Sequence, residues 1–347
     1  MATVKDANII QGKHMKRLSA IALSTLVAFS ITACSSHKAE VAEAEAPAKA
    51  AFDQNSQDIR VITVANPEGK ITGATIEEAF TKAGFIVDGN NNMNDPFSKR
   101  FDKLWYKTYR LAIVHNSDLT AKLAKDFPSI GLITPLSMSI WSSNDNKDIS
   151  VSSLTLRGMS RITQIPMDNA DLIAYADAMD AALKAAVPGG KYEERTYSKI
   201  ADMNMSLSTN FEAVFDTDEE TTIVDAKDSF EEEFEAEMEP VGFLFPSFID
   251  LNGELEERNI AVYDYYDTYS VCKFDVIYPV SETHPEVGAF APCTFYVYKK
   301  KGEEVTHMGF PSVDNWMTAT DIEDEKSMKP LVDAQEMFSN IVKEITE

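Results

Sequence analysis

One eight-residue motif occurs twice in this chain of 347 residues. It reads Pro128-Ser129-Ile130-Gly131-Leu132-Ile133-Thr134-Pro135, and it recurs 157 positions later as Pro285-Glu286-Val287-Gly288-Ala289-Phe290-Ala291-Pro292. A second motif, Tyr106-Lys107-Thr108-Tyr109, recurs as Tyr266-Asp267-Thr268-Tyr269 at an offset of 160. Two ordered copies predict a duplicated domain, because a solenoid needs three or more repeats.

The residues around these motifs predict the same series of elements in each copy. Apolar alternation and helical spacing place the elements of the first copy as follows: a strand at 60–64, a helix from Thr75 as N-cap to about Ala83, a strand at 106–114, a helical turn at 119–124, hairpin strands at 131–141 and 149–156, and a helix at 172–186. The second copy repeats this order with strands at 269–276, 290–298 and 305–310, a turn at Lys301-Gly302, and a helix from about Pro330.

This order predicts an α+β fold with helices on one face of an antiparallel sheet. We expect two tandem sandwich units of this kind, at residues 58–200 and 201–347, packed as a pseudo-dimer within a monomer. Each unit is long enough to bury a core of its own.

The pattern of helix, glycine-phenylalanine, strand and proline-bounded motif resembles the bacterial domain of unknown function 302. The segments that carry the resemblance are 84–87, 109–114, 131–140 and 149–156, with a looser match over 225–347. That family is known for a β-α-β(4)-α sandwich similar in layout to the TATA-binding protein. The resemblance implies that each unit is a β-α-β(4)-α-like sandwich, and it supplies no catalytic residues.

The N-terminal region is typical of a bacterial lipoprotein signal. An uncharged run from Leu18 to Ala33 follows Lys16 and Arg17, and it is too short for a membrane span. Ile31-Thr32-Ala33-Cys34 resembles a lipobox, so we expect cleavage before Cys34 and lipidation of that residue; the alternative is an ordinary signal with a chance cysteine. Met15 is the expected start, with residues 1–14 an upstream extension. Residues 34–57, rich in Ala and Glu, are expected to form a flexible tether.

Composition excludes one class of partner. The net charge is −24, and removal of residues 1–33, which hold four basic residues and one acid, would lower it to −27. A surface this acidic repels phosphate backbones, so nucleic-acid binding is disfavoured. A cationic partner would suit the charge, although high negative charge is commonly a solubility feature.

Cys272 and Cys293 lie on strands that are predicted to pair, with both thiols directed into the core of the second unit. Three alternatives remain open: a disulfide, which a secretory route permits, two buried free thiols, or a metal pair. The metal alternative lacks any ligand spacing of the known kinds. Acidic segments at 216–227 and 88–99 also fail the calcium-loop pattern at its sixth and twelfth positions.

Polar and aromatic clusters supply the candidate ligand contacts. The Asn-rich stretch 88–95 is predicted to be a loop that presents amides, with Asn92 and Asn94 as candidates. Tyr106, Tyr109, Tyr266 and Tyr269 could form a stacking surface, or they could pack at a seam between the units.

The chain contains no nucleophile elbow, phosphate loop or dinucleotide motif, so no cofactor and no catalytic residue is predicted. The sequence favours a non-catalytic binding protein, anchored at the periplasmic face of the outer membrane. Two alternatives remain: an enzyme, such as a hydrolase, with its site in the groove between the units, and a structural envelope component that docks a partner through its acidic face.

Overall fold

The same order of strands and helices occurs twice along the chain, formed by alternating apolar residues and by capped helical segments. The computed structural model describes residues 52–145, 147–198 and 207–347, which we call the first half (up to 198) and the second half (from 207). Cys34, the signal region, most of the tether and the predicted boundary at residue 200 lie outside the described residues. Within these ranges no helix has the length and apolarity needed to cross a bilayer.

The elements of each half follow in chain order. Those of the first half are β1 (Ile59–Ala65), α1 (Gly73–Lys82), β2 (Ile86–Asn92), α2 (Asn94–Arg100), β3 (Tyr106–His115), α3 (Ser117–Ala124), β4 (Leu136–Ser143), β5 (Asp148–Leu154), α4 (Leu156–Thr163), α5 (Ala170–Ala186) and β6 (Lys191–Tyr192). Those of the second half are β7 (Ser208–Ala213), α6 (Ile223–Met238), β8 (Leu244–Asp250), α7 (Leu251–Glu256), β9 (Tyr263–Cys272), α8 (Phe274–Ser281), β10 (Cys293–Lys300), β11 (Thr306–Pro311), α9 (Asp314–Thr320) and α10 (Glu325–Glu344).

Each half forms one antiparallel sheet. The strand order is β2-β3-β4-β5-β1-β6 in the first half and β8-β9-β10-β11-β7 in the second. Apart from the short β6, the two orders are the same, with the first strand of each half placed beside its last long strand. The fold is therefore α+β with tandem β-α-β(4)-α units, as predicted.

The ladder registers correct one part of the sequence alignment. Tyr109 pairs with Trp141, and Tyr266 pairs with Tyr298, each partner being 157 positions further on in the second half. The offset of 160 for the tyrosine motif is therefore wrong: Tyr109 is equivalent to Tyr266, not to Tyr269. The error arose because Tyr263 and Tyr266 repeat the same Tyr-x-x-Tyr spacing three residues earlier.

Several predicted boundaries are also wrong, for local reasons. Thr72, not Thr75, is the N-cap of α1, and Thr75 completes the capping box from the third helical position. The strand predicted at 269–276 ends at Cys272, and α8 begins at once. Helix α10 begins at Glu325, capped by Asp324, so Pro330 lies inside it. The folded body also starts earlier than the predicted end of the tether, since Gln57 is buried.

The repeated motif forms a 3₁₀ turn in each half, and in the first half the predicted strand begins too early, at Gly131 inside this turn. The turns are Pro128–Ile133 and Pro285–Ala289, and each lies against the sheet of the opposite half. Proline at the first position favours a helical turn, while the apolar residues that look like a strand are buried in the contact. We call this reciprocal contact the seam.

Tyrosine hydroxyls hold both turns of the seam in place. Tyr109 Oη donates to the carbonyl of Pro285 at 3.3 Å. Tyr266 Oη donates to the equivalent carbonyl, that of Pro128, and accepts the backbone N–H of Gly131 at 2.9 Å. A second pair of bonds repeats the symmetry: Ser137 Oγ donates to Pro292 O at 2.7 Å, and Thr294 Oγ1 donates to Pro135 O at 3.2 Å.

The seam also unites the apolar cores. One cluster of buried side chains contains residues of both halves, including Leu111 and Ile140 from the first and Tyr266 and Ile277 from the second. Consequently residues 51–347 form one compact unit. A smaller cluster, around Phe234 and Phe295, lies under α6 and α10 of the second half.

The close contacts of the two motif glycines predict that a larger residue at either position destabilises the fold. A Cβ on Gly131 would lie 2.3 Å from Tyr266 Oη, and one on Gly288 would lie 2.3 Å from Ser139 Cβ. We expect Gly131→Ala and Gly288→Ala each to lower the free energy of unfolding by about 2 kcal/mol, because overpacking a close contact typically costs 1–3 kcal/mol. Urea unfolding measures the change. Ser129→Ala, in the first turn, is the control, and equal stability of all three variants would contradict the seam geometry.

Candidate functional site

A groove opens at the place where the outer strands β2 and β8 approach each other. Its volume is about 760 Å³, within the range of roughly 300–1,000 Å³ that is typical of ligand sites. We call it the edge groove. It is lined by Asn91, Asn92, Met93, Asp95, Pro96 and Leu111 of the first half and by Glu235, Glu239, Leu244, Phe245, Pro246, Phe248, Tyr269, Cys272, Phe274 and Pro292 of the second.

Aromatic rings form one wall of the edge groove. The Tyr269 ring packs edge-on against Phe248, with centroids 5.0 Å apart, and against Phe245 at 5.9 Å. Phe234 of α6 supports the same ring from the core at 6.0 Å. Phe248 is 51% exposed. The wall therefore presents a preformed aromatic face to solvent.

The charged side chains that line the edge groove are all acidic. Glu235 and Glu239 lie one helical turn apart on α6, and Asp95 lies on α2, whereas no lysine or arginine lines the groove. Carboxylates beside aromatic faces attract cations, through charge and through the ring quadrupole. The arrangement suits a ligand that is cationic and partly apolar.

The structure places one of the two predicted asparagine contacts in the edge groove and the other outside it. The stretch predicted as a loop is the edge strand β2 followed by α2. Asn92 lines the edge groove, while its Oδ1 accepts the N–H of Asn94 at 3.3 Å. Asn94 points away and donates to the carbonyls of Tyr106 and Lys107. The loop prediction is wrong because β3 offers a ladder partner to the polar strand.

The structure places one of the four predicted tyrosines in the edge groove and the other three in contacts between the halves. Tyr109 and Tyr266 are buried in the seam, and Tyr106 Oη donates to the carbonyl of Glu282 in the opposite half at 3.1 Å. The packing alternative therefore accounts for these three side chains. Tyr269 alone lines the edge groove.

Cys272 and Cys293 are both free thiols. Their strands pair as predicted, but Val271, not Cys272, lies opposite Cys293. Burial raises the pKa of each thiol to about 12, so neither is activated as a nucleophile. Both cysteines line one apolar cavity of about 60 Å³, which has room for a few waters. A disulfide on oxidation stays a prediction. Among the described residues, no cluster of three or more metal-ligating side chains is present.

A buried histidine joins the halves elsewhere on the seam. His115 Nδ1 lies 2.6 Å from Asp88 Oδ2, and its Nε2 lies 3.0 Å from Glu254 Oε1 of the second half. We call Asp88, His115 and Glu254 the histidine clamp. Burial alone would lower the pKa of His115, but the bonds to both carboxylates raise it to about 9.

The histidine clamp resembles a catalytic triad without the means to act as one. Ser117 Oγ lies 3.2 Å from His115 Nε2, a distance suited to an activated nucleophile. However, His115 is 2% exposed and Ser117 is 8% exposed. A pKa near 9 keeps the imidazole protonated at neutral pH, whereas a general base must be unprotonated. The geometry therefore favours a structural clamp.

Two further carboxyl groups with raised pKa lie behind the aromatic wall. Burial raises the pKa of Glu231 to about 7, the charge of Asp267 adds to this, and Lys227 opposes it. Lys227 Nζ lies 3.0 Å from Glu231 Oε2 and 2.8 Å from Asp267 Oδ2. Neither carboxyl lines the edge groove, so these groups do not reach a ligand there.

Sequence reasoning missed the groove residues Glu235, Glu239, Phe245 and Phe248. The four-residue spacing of the two glutamates on a predicted helix was the available signal for a shared acidic face. Nothing local connects that face to Asn92, since the groove is assembled from seven elements of two halves.

The histidine clamp predicts a specific dependence of stability on pH. Its folded pKa, about 9, exceeds the unfolded value of about 6.5, so its stabilisation is complete below pH 6.5 and is lost as the pH rises through 9. Between pH 6 and 9.5, the difference in unfolding free energy between wild type and His115→Gln should shrink by about 2–3 kcal/mol. Glu254→Gln should move that loss to lower pH. A difference that does not change with pH would contradict the clamp.

Comparison with known proteins finds a match to a family of unknown function, which indicates no activity. The family model described as "Domain of unknown function DUF302" matches residues 220–345. Among solved structures, the chain is similar to an uncharacterised conserved DUF302 protein from Bacillus stearothermophilus, at 16% identity and a TM-score of 0.33, over 41% of this chain and 98% of that one. No curated protein matches the chain.

The family match covers the second half from the loop before α6 to the end of α10. It includes the glutamates and aromatic residues of the edge groove and the motif Pro285–Pro292. Residues 220–345, in the second half of this chain, therefore match the model of the DUF302 family.

Proposed function

We propose that this chain is a lipid-anchored protein of the cell envelope that binds a cationic organic ligand, without catalysis, in the edge groove. One observation carries the proposal: a groove of about 760 Å³ combines three carboxylates with an aromatic wall and has no lysine or arginine in its lining. The acidic net charge of −24 adds a long-range attraction for the same class of ligand.

The described residues support the enzyme alternative less well than they support binding. The only described histidine in contact with both a serine and a carboxylate lies in the buried clamp and not in the edge groove. The carboxyl pair Glu231 and Asp267 is occupied by Lys227. Binding requires no group beyond those that line the groove.

The anchor is proposed from the sequence around Cys34. A lipidated cysteine followed by an Ala- and Glu-rich tether would hold the body at the periplasmic face of the outer membrane. Several buried acyl chains, at roughly 0.8 kcal/mol per CH₂, give stable attachment. The edge groove would then face the periplasm on a mobile tether.

The ligand class is tested with benzyltrimethylammonium, a cation of aromatic character. A ligand of this size should bind with a Kd on the order of 1 mM, measured by NMR titration. Glu235→Gln/Glu239→Gln should weaken binding at least fivefold. Glu233→Gln/Glu237→Gln changes two exposed glutamates of α6 outside the groove, and it should leave the Kd within twofold.

Two outcomes would count against this ligand class. Equal weakening by both double variants would show a general charge effect and not a site. Equal affinity for benzyl alcohol, a neutral aromatic probe, would show that the positive charge is not recognised.

The anchor is tested by Cys34→Ser in the native host. We expect the protein to move from the membrane fraction to the soluble fraction, because the acyl chains supply the membrane contact. Fractionation followed by mass spectrometry of the N-terminal peptide reads out both location and lipid. Ser35→Ala, which keeps the cysteine, is the control. A variant that stays in the membrane fraction would overturn the anchor.

A further inference from the structure

The cavity of about 60 Å³ that both cysteines line has an almost entirely apolar wall, and we call it the apolar cavity. Strands β9, β10 and β11 and helices α8, α9 and α10 all contribute to its lining. Its aromatic side chains include Phe295, Phe310, Trp316 and Phe338. It holds a few groups of the size of a water or a methylene.

The polar side chains in this lining form their hydrogen bonds elsewhere. Gln335 Oε1 accepts the backbone N–H of Val313 at 2.8 Å. Thr294 Oγ1 donates to a carbonyl of the seam at 3.2 Å, and Lys273 Nζ donates to the carbonyl of Val241. Apolar cavities of this kind stay free of water and accept apolar ligands. The apolar cavity therefore suits hydrocarbon groups.

The apolar cavity is a direct neighbour of the edge groove. Cys272 lines both spaces. Phe243 lines the cavity, whereas the next residue, Leu244, lines the groove. Pro292 lines the groove, whereas the residues on either side of it in sequence line the cavity. At three places in the chain, a single layer of residues thus separates the two spaces.

The ladder between β8 and β9 is interrupted at this boundary. After the pair Leu244 and Cys272 the register shifts, so that Phe245 and Pro246 together lie opposite Val271 alone. Phe245 and Pro246 line the groove, and Val271 lines the cavity. A bulge leaves the ladder locally disrupted. The boundary therefore consists of side chains and a bulge, and not of a continuous ladder.

We propose that the edge groove and the apolar cavity form one site for a cationic amphiphile, with its cationic head near Glu235, Glu239 and Asp95 and the end of its alkyl chain in the apolar cavity. The inference rests on the proposed function and names the class of its ligand. The first methylenes of the chain lie against the aromatic wall of the groove. The chain then passes the side chain of Cys272, which lines both spaces.

A series of alkyl chain lengths tests whether the chain is buried. The protein is the chain from residue 34 onward with Cys34→Ser, so that no acyl chain of the anchor competes. Butyl-, hexyl- and octyltrimethylammonium are titrated by calorimetry below their micelle concentrations. Each added pair of methylenes should tighten binding about tenfold, because a fully buried methylene contributes about fourfold.

A variant that fills the cavity separates burial there from contact with the groove. Cys293 lines the cavity but not the groove. We expect Cys293→Leu to reduce the gain for each pair of methylenes to less than twofold and to leave the Kd of benzyltrimethylammonium within twofold. Val332→Leu, at an exposed position of α10 that lines neither space, is the control and should keep the full gain.

Fluorescence locates the end of the chain without changing the cavity. Trp316 lines the apolar cavity and is buried, and the chain has two other tryptophans, Trp105 and Trp141. Bromine quenches tryptophan fluorescence on contact. We expect (6-bromohexyl)trimethylammonium to quench the wild type, and we expect this quenching to disappear in Trp316→Phe. Benzyltrimethylammonium, which has no bromine, is the control probe.

Two outcomes would overturn the inference: a gain with chain length that Cys293→Leu leaves unchanged, or quenching that Trp316→Phe leaves unchanged. If benzyltrimethylammonium binds and the alkyl series shows no gain with chain length, the amphiphile class is wrong and the proposed function stands. If no probe binds, both fail.

Discussion

Two tyrosine hydroxyls, those of Tyr109 and Tyr266, bond to the backbone of a 3₁₀ turn in the opposite half, and the arrangement of the whole body depends on this exchange. Each sheet buries one face under its own helices and would otherwise leave the other exposed. The turns cover that second face, and glycine at the fourth position of each motif permits the close approach. The seam thereby fixes where β2 and β8 meet, and so where the edge groove opens.

The sequence predicted the parts of the fold that are local. The central strands, the capped helices and the turn at Gly302 follow from spacing and capping within single segments, whereas the outer strands β2, β7 and β8 were not predicted from the residues. The 3₁₀ turn of the first half was predicted in part as a strand, because Ile130 to Ile133 has the composition of a buried strand and only the contact with the other half decides otherwise. Likewise the Asn-rich strand β2 has no strand propensity of its own, and pairing with β3 overrides this.

The site was less predictable for the same reason. Of the eight candidate positions, only Asn92, Tyr269 and Cys272 line the edge groove. Glu235 and Phe248 come from segments in which no site residue was predicted. The histidine clamp joins His115 to Glu254 across 139 positions of sequence, without any motif. Long-range contacts of this kind depend on the seam, which no single segment encodes.

Duplication within one chain has released the two halves from the identity that a homodimer imposes. β3 ends in His115, which contacts Glu254. At the offset of 157, the positions equivalent to these two residues are Cys272 at the end of β9 and Phe97 on α2. Phe97 there packs with Phe274 and Tyr278. Of these two equivalent places, one thus holds a charged joint and the other an aromatic cluster. The edge groove lies where the equivalent strands β2 and β8 meet. A symmetric dimer would line such a groove twice with the same residues, whereas this chain lines it with asparagines of β2 on one side and phenylalanines of β8 on the other.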